Sequence, residues 1–167
     1  MEPSKTVNVC FVCLGNICRS PLAQGLCARL VAEEGLAGRI HIESAGTGDW
    51  HVGKLPDSRM QATANKNGLR LTSRARQFRR DDFDRFDLVV AMDRANEAEL
   101  SRMCAPETAR EKLKLFRSFD PQCNGDPDVP DPYYGGNDGF DVVFQIVQRA
   151  CPEILKHVKT RFLDPPA

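Results

Sequence analysis

Residues 13–20 read Cys-Leu-Gly-Asn-Ile-Cys-Arg-Ser, so that Cys13 is followed six positions later by Arg19. A thiolate is a nucleophile, and a planar guanidinium can grip two phosphate oxygens at once. Between the two stand Gly15 and Asn16, residue types that tolerate positive φ and tight turns. No acidic residue interrupts the stretch. A short loop entering a helix can aim several backbone N–H groups at one point, and the helix dipole adds positive potential there. The same field favours the thiolate form of Cys13. A thiolate held beneath a bound phosphate is placed for in-line attack on phosphorus.

The spacing by itself carries little, because seven cysteines among sixteen arginines produce it roughly once by chance. The chain holds a second case, Cys104 to Arg110, reading Cys-Ala-Pro-Glu-Thr-Ala-Arg. That string follows a helical pattern rather than a strand, has no glycine, and places Glu107 where an anion would sit. It is expected to be an ordinary loop between a helix and a strand.

Cleaving a phosphate ester also needs a proton for the leaving oxygen, which a carboxylic acid on a loop can supply. The proline-rich stretch 125–136 offers Asp126, Asp128 and Asp131. Residue chemistry alone does not choose among them. Their spacing around the prolines resembles no calcium loop.

The elements that must position these groups follow from the apolar pattern. Residues 6–13 (TVNVCFVC) form a near-continuous apolar run that suits a strand buried on both faces. Ser20 and Pro21 then open a helix, with Ser20 as N-cap and Gly35 as its stop. Further strands are predicted over 39–44, 86–92 and 112–116, and helices over 58–67 and 93–103, the latter capped by Asp93. A long helical pattern over 140–162 contains Pro152, which is expected to kink or interrupt it. Strands alternating with helices imply a parallel sheet covered on both faces. Ligands of such sheets sit beyond the carboxyl ends of the strands, and Cys13 is the end of the first.

At 167 residues the chain suits one domain, with an ordered core over about 6–162. Its net charge is zero, with 23 basic and 23 acidic residues, which argues against bulk binding to nucleic acid or membranes. The seven cysteines are odd in number, irregularly spaced and without a CxxC pair, as free thiols in a reducing compartment would be. The N-terminus lacks the apolar core of a signal peptide, and no apolar run approaches the ~20 residues that span a bilayer. A cytoplasmic location is expected, with no metal and no cofactor.

The string from Val12 to Pro21 closely resembles the signature of the low-molecular-weight protein tyrosine phosphatases, and Asp131-Pro-Tyr-Tyr-Gly135 is similar to that family's second signature. Ser44 to Thr47 and the Met92–Asp93 pair are similar as well. The resemblance covers about 7–162. It implies a flavodoxin-like three-layer α/β/α fold around a central four-stranded parallel sheet, with the phosphate loop after the first strand. It implies hydrolysis of phosphotyrosine and of small aryl phosphates through a phosphocysteine on Cys13. Arg19 would clamp the phosphate, Asp131 would be the general acid, and Leu14, Gly15, Asn16, Ile17, Cys18 and Ser20 would complete the loop. Ser20 would bond the thiolate and Asn16 would hold the loop's shape. Trp50 and Tyr133 would flank the substrate ring, with Tyr134 beside them, and Cys18 would trap oxidised Cys13 as a disulfide.

The implied partners are phosphotyrosine proteins, a tyrosine kinase among them, with inorganic phosphate or vanadate as inhibitors. The default assembly is a monomer. The remaining cysteines read as small hydrophobes or loop thiols. His41, His51 and His157 read as neutral surface or core residues, and the arginines at 74, 76, 79 and 80 as a solvated face. Three rivals have distinguishing marks. A thioredoxin-coupled arsenate reductase needs relay cysteines, yet none lies between Cys27 and Cys104. A phosphoarginine phosphatase would carry a threonine where Ile17 stands. A non-catalytic phosphotyrosine-binding module would have no need of Cys13 and Asp131 together.

Overall fold

The structure is a computed structural model that describes residues 6–136 and 138–164. The N-terminal residues 1–5, read above as lacking a leader, lie outside the described residues. Four strands, β1 (Val7–Cys13), β2 (Ile40–Gly46), β3 (Leu88–Ala91) and β4 (Leu113–Leu115), form one sheet in the order β2-β1-β3-β4. Every pairing is parallel, and the register sets Cys13 against Gly46 and Val12 against Ala91.

The helices are α1 (Arg19–Glu33), α2 (Ser58–Lys66), α3 (Asp82–Arg85), α4 (Arg94–Ser101), α5 (Pro106–Lys112) and α6 (Asp138–Val158). Successive side chains of a strand point to opposite faces, and β1 divides its residues accordingly. Val7, Val9, Phe11 and Cys13 pack with α1, α2 and α6, whereas Cys10 and Val12 pack with α3, α4 and α5. These two cores make three layers. Phe11, fully buried, meets Phe116 edge-to-face at 6.0 Å, and each such buried side chain contributes roughly 1.5–3 kcal/mol. The chain leaves β1 on one side for β2 and returns on its other side for β3. The end of β1 is therefore the switch point where a crevice opens.

Three expectations are corrected. Residues 106–112 form helix α5, with Pro106 in its first turn, rather than a loop. Pro152 does not interrupt α6, which runs on into a wider turn over Lys159–Leu163. Ser20 is not an N-cap, because α1 begins one residue earlier at Arg19 and no side chain caps it. Gly35 and Asp93 end and begin their helices as expected, and Asp93 Oδ1 accepts from the Asn96 N–H at 2.8 Å. Among the described residues no helix is long and apolar enough to cross a membrane.

Candidate active site

The loop from Cys13 to Arg19 curls because Asn16 takes a left-handed backbone, φ 57°. Asparagine bears that conformation more cheaply than other residues with a side chain, glycine apart. Its side chain then locks the turn. Nδ2 donates to Ser20 Oγ at 2.8 Å and Ser44 Oγ at 2.9 Å, and Oδ1 accepts from the Arg76 N–H at 3.0 Å. Ser44 Oγ in turn donates to Gln24 Oε1 at 2.5 Å. Curling brings the Asn16 N–H to 3.3 Å from Cys13 Sγ and Ser20 Oγ to 3.0 Å from it. Because Ser20 Oγ already accepts from Asn16, its own proton is free for the sulfur. The alternative acceptor, the Ala45 carbonyl, is farther away at 3.5 Å. Ser20 is thus recruited by the sulfur instead of capping α1, and the uncapped first turn leaves its N–H groups for an anion.

Gly15 has no positive φ. It is small for another reason: a Cβ there would stand 2.9 Å from Cδ2 of His51. His51, read from the sequence as a neutral surface or core residue, is therefore packed on the loop that follows Cys13 and lines the cleft. Its signal was the glycine six residues ahead of Pro21, legible only once the two loops meet. Gly46, opposite Cys13, is tighter still, since a Cβ would meet the Leu14 carbonyl oxygen at 2.8 Å.

Arg19 is 2% exposed. Its Nη1 donates to Asp93 Oδ2 at 2.6 Å and to the Val129 carbonyl at 2.9 Å, and its Nη2 lies 3.6 Å from Asp131 Oδ2. Burial opposes its charge, but Cys13, Asp93 and Asp131 outweigh that and raise the guanidinium above its ordinary value. Nη1 is committed to the scaffold, which leaves the Nε–Nη2 edge of the fork for a ligand.

Packing separates the three loop acids. Asp126 pairs with Arg117 at 3.4 Å and accepts from the Asp128 N–H at 3.0 Å. Asp128 accepts from the Arg94 N–H at 2.9 Å; burial pushes its carboxyl up, but the Arg94 bonds hold it below the usual range. Asp131 alone of the three lines the cleft, 32% exposed, with Oδ1 accepting from the Tyr133 N–H at 3.0 Å.

Two arginine clusters hold the segment that carries Asp131. Arg117 donates to the Asp128, Gln122 and Cys123 carbonyls and pairs with Asp120 at 3.3 Å. Asp120 is also gripped by Arg149 through two bonds of 2.8 and 2.9 Å, which hold its carboxyl below the usual range. On the other side, Arg59 binds Asp57, donates to the Tyr133 carbonyl at 3.3 Å and stacks over the Tyr133 and Phe140 rings. The Asp57 N–H donates to the Ile17 carbonyl at 2.8 Å. The Asp57–Arg59 pair therefore joins the Cys13–Arg19 loop to the loop that carries Asp131. Arg76, expected on a solvated face, instead pairs with Asp82 at 3.0 Å and Glu43 at 3.6 Å.

The resulting cleft has a volume of about 320 Å³. Its lining combines the buried Cys13, Ile17, Cys18 and Arg19, which make its floor, with Leu14, Gly15, Trp50, His51, Asp131, Tyr133 and Tyr134. Asn16 and Ser20 stand behind the floor rather than in it. Trp50 is 67% exposed, a wall rather than a core cap. Cys18 is buried, and burial foremost, with Asp57 and Cys13 adding to it, pushes its thiol up. The second string has none of this: Arg110 lies on α5, 72% exposed, 3.7 Å from Glu107.

The chain is similar to known proteins over most of its length. The family model described as low molecular weight phosphotyrosine protein phosphatase matches residues 8–162. A low molecular weight protein-tyrosine-phosphatase of Streptomyces coelicolor is 44% identical over 155 residues, which cover 92% of this chain and 94% of that protein. The crystal structure of a protein tyrosine phosphatase from Entamoeba histolytica, with Hepes in its active site, superposes with a TM-score of 0.87. It is 34% identical and covers 92% of this chain and 97% of its own. A Drosophila arginine phosphatase superposes with a TM-score of 0.83 at 32% identity, covering 91% of this chain and 98% of its own.

Proposed function

The chain belongs to the low molecular weight phosphotyrosine protein phosphatase family, and from that premise we propose how its own residues divide the reaction. It is a phosphoric monoester hydrolase. The observation that carries the assignment is the Cys13 sulfur on the cleft floor, 3.3 Å from a backbone N–H and 3.0 Å from the Ser20 hydroxyl, with Arg19 and Asp131 facing the same space.

The Cys13 thiolate attacks phosphorus from below while the phosphate oxygens rest on the loop N–H groups and the free edge of Arg19. The P–O bond to the phenol breaks, and protonated Asp131 gives its proton to the leaving oxygen. Water then attacks the phosphocysteine, and the Asp131 carboxylate takes the proton. The S–P bond breaks, the Ser20 hydroxyl stabilises the returning thiolate, and phosphate leaves. Inorganic phosphate and vanadate occupy the same cradle as inhibitors. Trp50 and Tyr133 offer flat faces to a phenyl ring, and the apolar side chain of Ile17 suits that ring better than a charged guanidinium, which favours phosphotyrosine over phosphoarginine. Cys18, on the same floor, would condense with a peroxide-oxidised Cys13 sulfenic acid to give a disulfide and water.

The test of the acid is Asp131→Asn across a series of aryl phosphates at fixed pH. A loss of roughly 10²–10⁴-fold is expected for basic leaving groups and a much smaller one for acidic phenols. Equal losses along the series would remove Asp131 from this role.

A further inference from the structure

Six large apolar side chains are prominently exposed among the described residues, and five of them belong to the loops around the cleft: Leu14, Trp50, Val52, Leu55 and Tyr134. The sixth, Val142, lies on α6. Trp50 and Tyr134 already serve as walls of the cleft. Val52 and Leu55 line nothing in it, yet they are 56% and 46% exposed. Exposed apolar groups concentrated around one opening mark a surface that another molecule covers.

The lip that carries them is firmly placed. The Gly48 N–H donates to the Leu14 carbonyl at 2.9 Å and the Asp57 N–H to the Ile17 carbonyl at 2.8 Å, so residues 48–57 run alongside the phosphate loop. Gly53 and Lys54 exchange backbone bonds with Ala75, 2.8 and 2.9 Å, and Arg74 Nη1 donates to the Gly53 carbonyl at 2.9 Å. The charges on and beside the exposed lip, Asp49, Lys54 and Arg74, are mixed in sign, so its apolar side chains rather than a run of like charge set it apart.

A phosphotyrosine that reaches Cys13 must carry its own chain across this lip. An extended chain advances about 3.3 Å per residue, so two or three residues on either side of the phosphotyrosine fall within about 10 Å of it. We propose that Val52 and Leu55, on the lip that runs alongside the phosphate loop, form a subsite for apolar side chains flanking the phosphotyrosine. The substrate class is then a phosphotyrosyl protein whose local sequence is apolar rather than acidic. The inference rests on the phosphotyrosine reading of the cleft.

The test uses two phosphotyrosine peptides of equal length, one flanked by Leu, Ile and Val and one by Asp and Glu, with p-nitrophenyl phosphate as a substrate that has no flanks. The wild-type protein is expected to favour the apolar peptide by roughly tenfold or more in kcat/KM, the scale on which apolar pockets discriminate. The Val52→Asp/Leu55→Asp pair should lose that preference and keep its turnover of p-nitrophenyl phosphate. The milder Val52→Ser/Leu55→Ser pair should fall between. Equal or better turnover of the acidic peptide, or equal losses on all three substrates, would overturn the subsite. Hydrolysis of p-nitrophenyl phosphate with neither peptide turned over would instead overturn the phosphotyrosyl-protein reading beneath it. Activity that falls with protein concentration and is restored by Val52→Asp/Leu55→Asp would give the lip to a second copy of the chain, and that too would overturn the proposal.

Discussion

At the carboxyl end of β1, Cys13 is followed six residues later by Arg19; at the start of α5, Cys104 is followed six residues later by Arg110. In the first string a strand fixes where the sulfur sits, Asn16 turns the chain back on itself, and Arg19 is drawn inward to 2% exposure by Asp93 and the Val129 carbonyl. In the second, a helix carries Arg110 outward to 72% exposure, beside Glu107. A spacing becomes a site only when one residue can take a left-handed turn between its ends and remote carbonyls and carboxylates hold the arginine in place. The first string has both conditions; the second has a helix, in which every residue has right-handed angles.

The largest effect that separates the two strings is expected on the arginines. Arg19→Ala should lower kcat/KM for p-nitrophenyl phosphate by roughly 10²–10³-fold, the scale for removing a preorganised donor from developing charge, and should weaken inhibition by inorganic phosphate. Arg110→Ala should leave both unchanged. Steady-state kinetics on the two variants decide this, and similar losses in both would erase the distinction.

A smaller effect lies in the frame that gives the first string its surroundings. Asp120, wholly buried between Arg117 and Arg149, holds the segment whose Val129 carbonyl meets Arg19. Asp120→Asn leaves those arginines without their carboxylate and should cost roughly 3 kcal/mol of stability. The folded-state carboxyl lies below its ordinary value. Its stabilisation is therefore complete above the ordinary aspartate value near ~4 and is lost as pH falls through the folded value. Denaturant midpoints measured from neutral to acid pH should show the variant losing less stability on acidification than the wild type. Parallel curves would show that Asp120 is not the group involved.

The sequence made the first string legible because its chemistry and its elements agree. A continuous apolar run ends at Cys13, and turn-forming residues follow at once. The α5 helix was illegible for the opposite reason. It buries no residue, so it carries no apolar period, and Pro106 reads equally well as a loop proline or as the first turn of a helix. Asp126, Asp128 and Asp131 looked alike in sequence because what separates them is distant: Arg117 and Arg94 claim the first two. The family signature could single out Asp131, but residue type could not. His51 was missed because its place depends on a close approach to Gly15 that only folding creates. Serine at the start of a helix usually caps it, and here the Cys13 sulfur competes for the Ser20 hydroxyl.

The covalent role of Cys13 is tested most directly by catching the intermediate. The protein is mixed with excess aryl phosphate, quenched in acid within one turnover, digested and weighed peptide by peptide. A phosphoryl group is expected on the peptide that holds Cys13, absent from the peptide that holds Cys104, and absent altogether in Cys13→Ser, which should also have lost its turnover. A phosphoryl group trapped on any other residue, or Cys13→Ser turning over at a rate close to the wild type, would contradict the account.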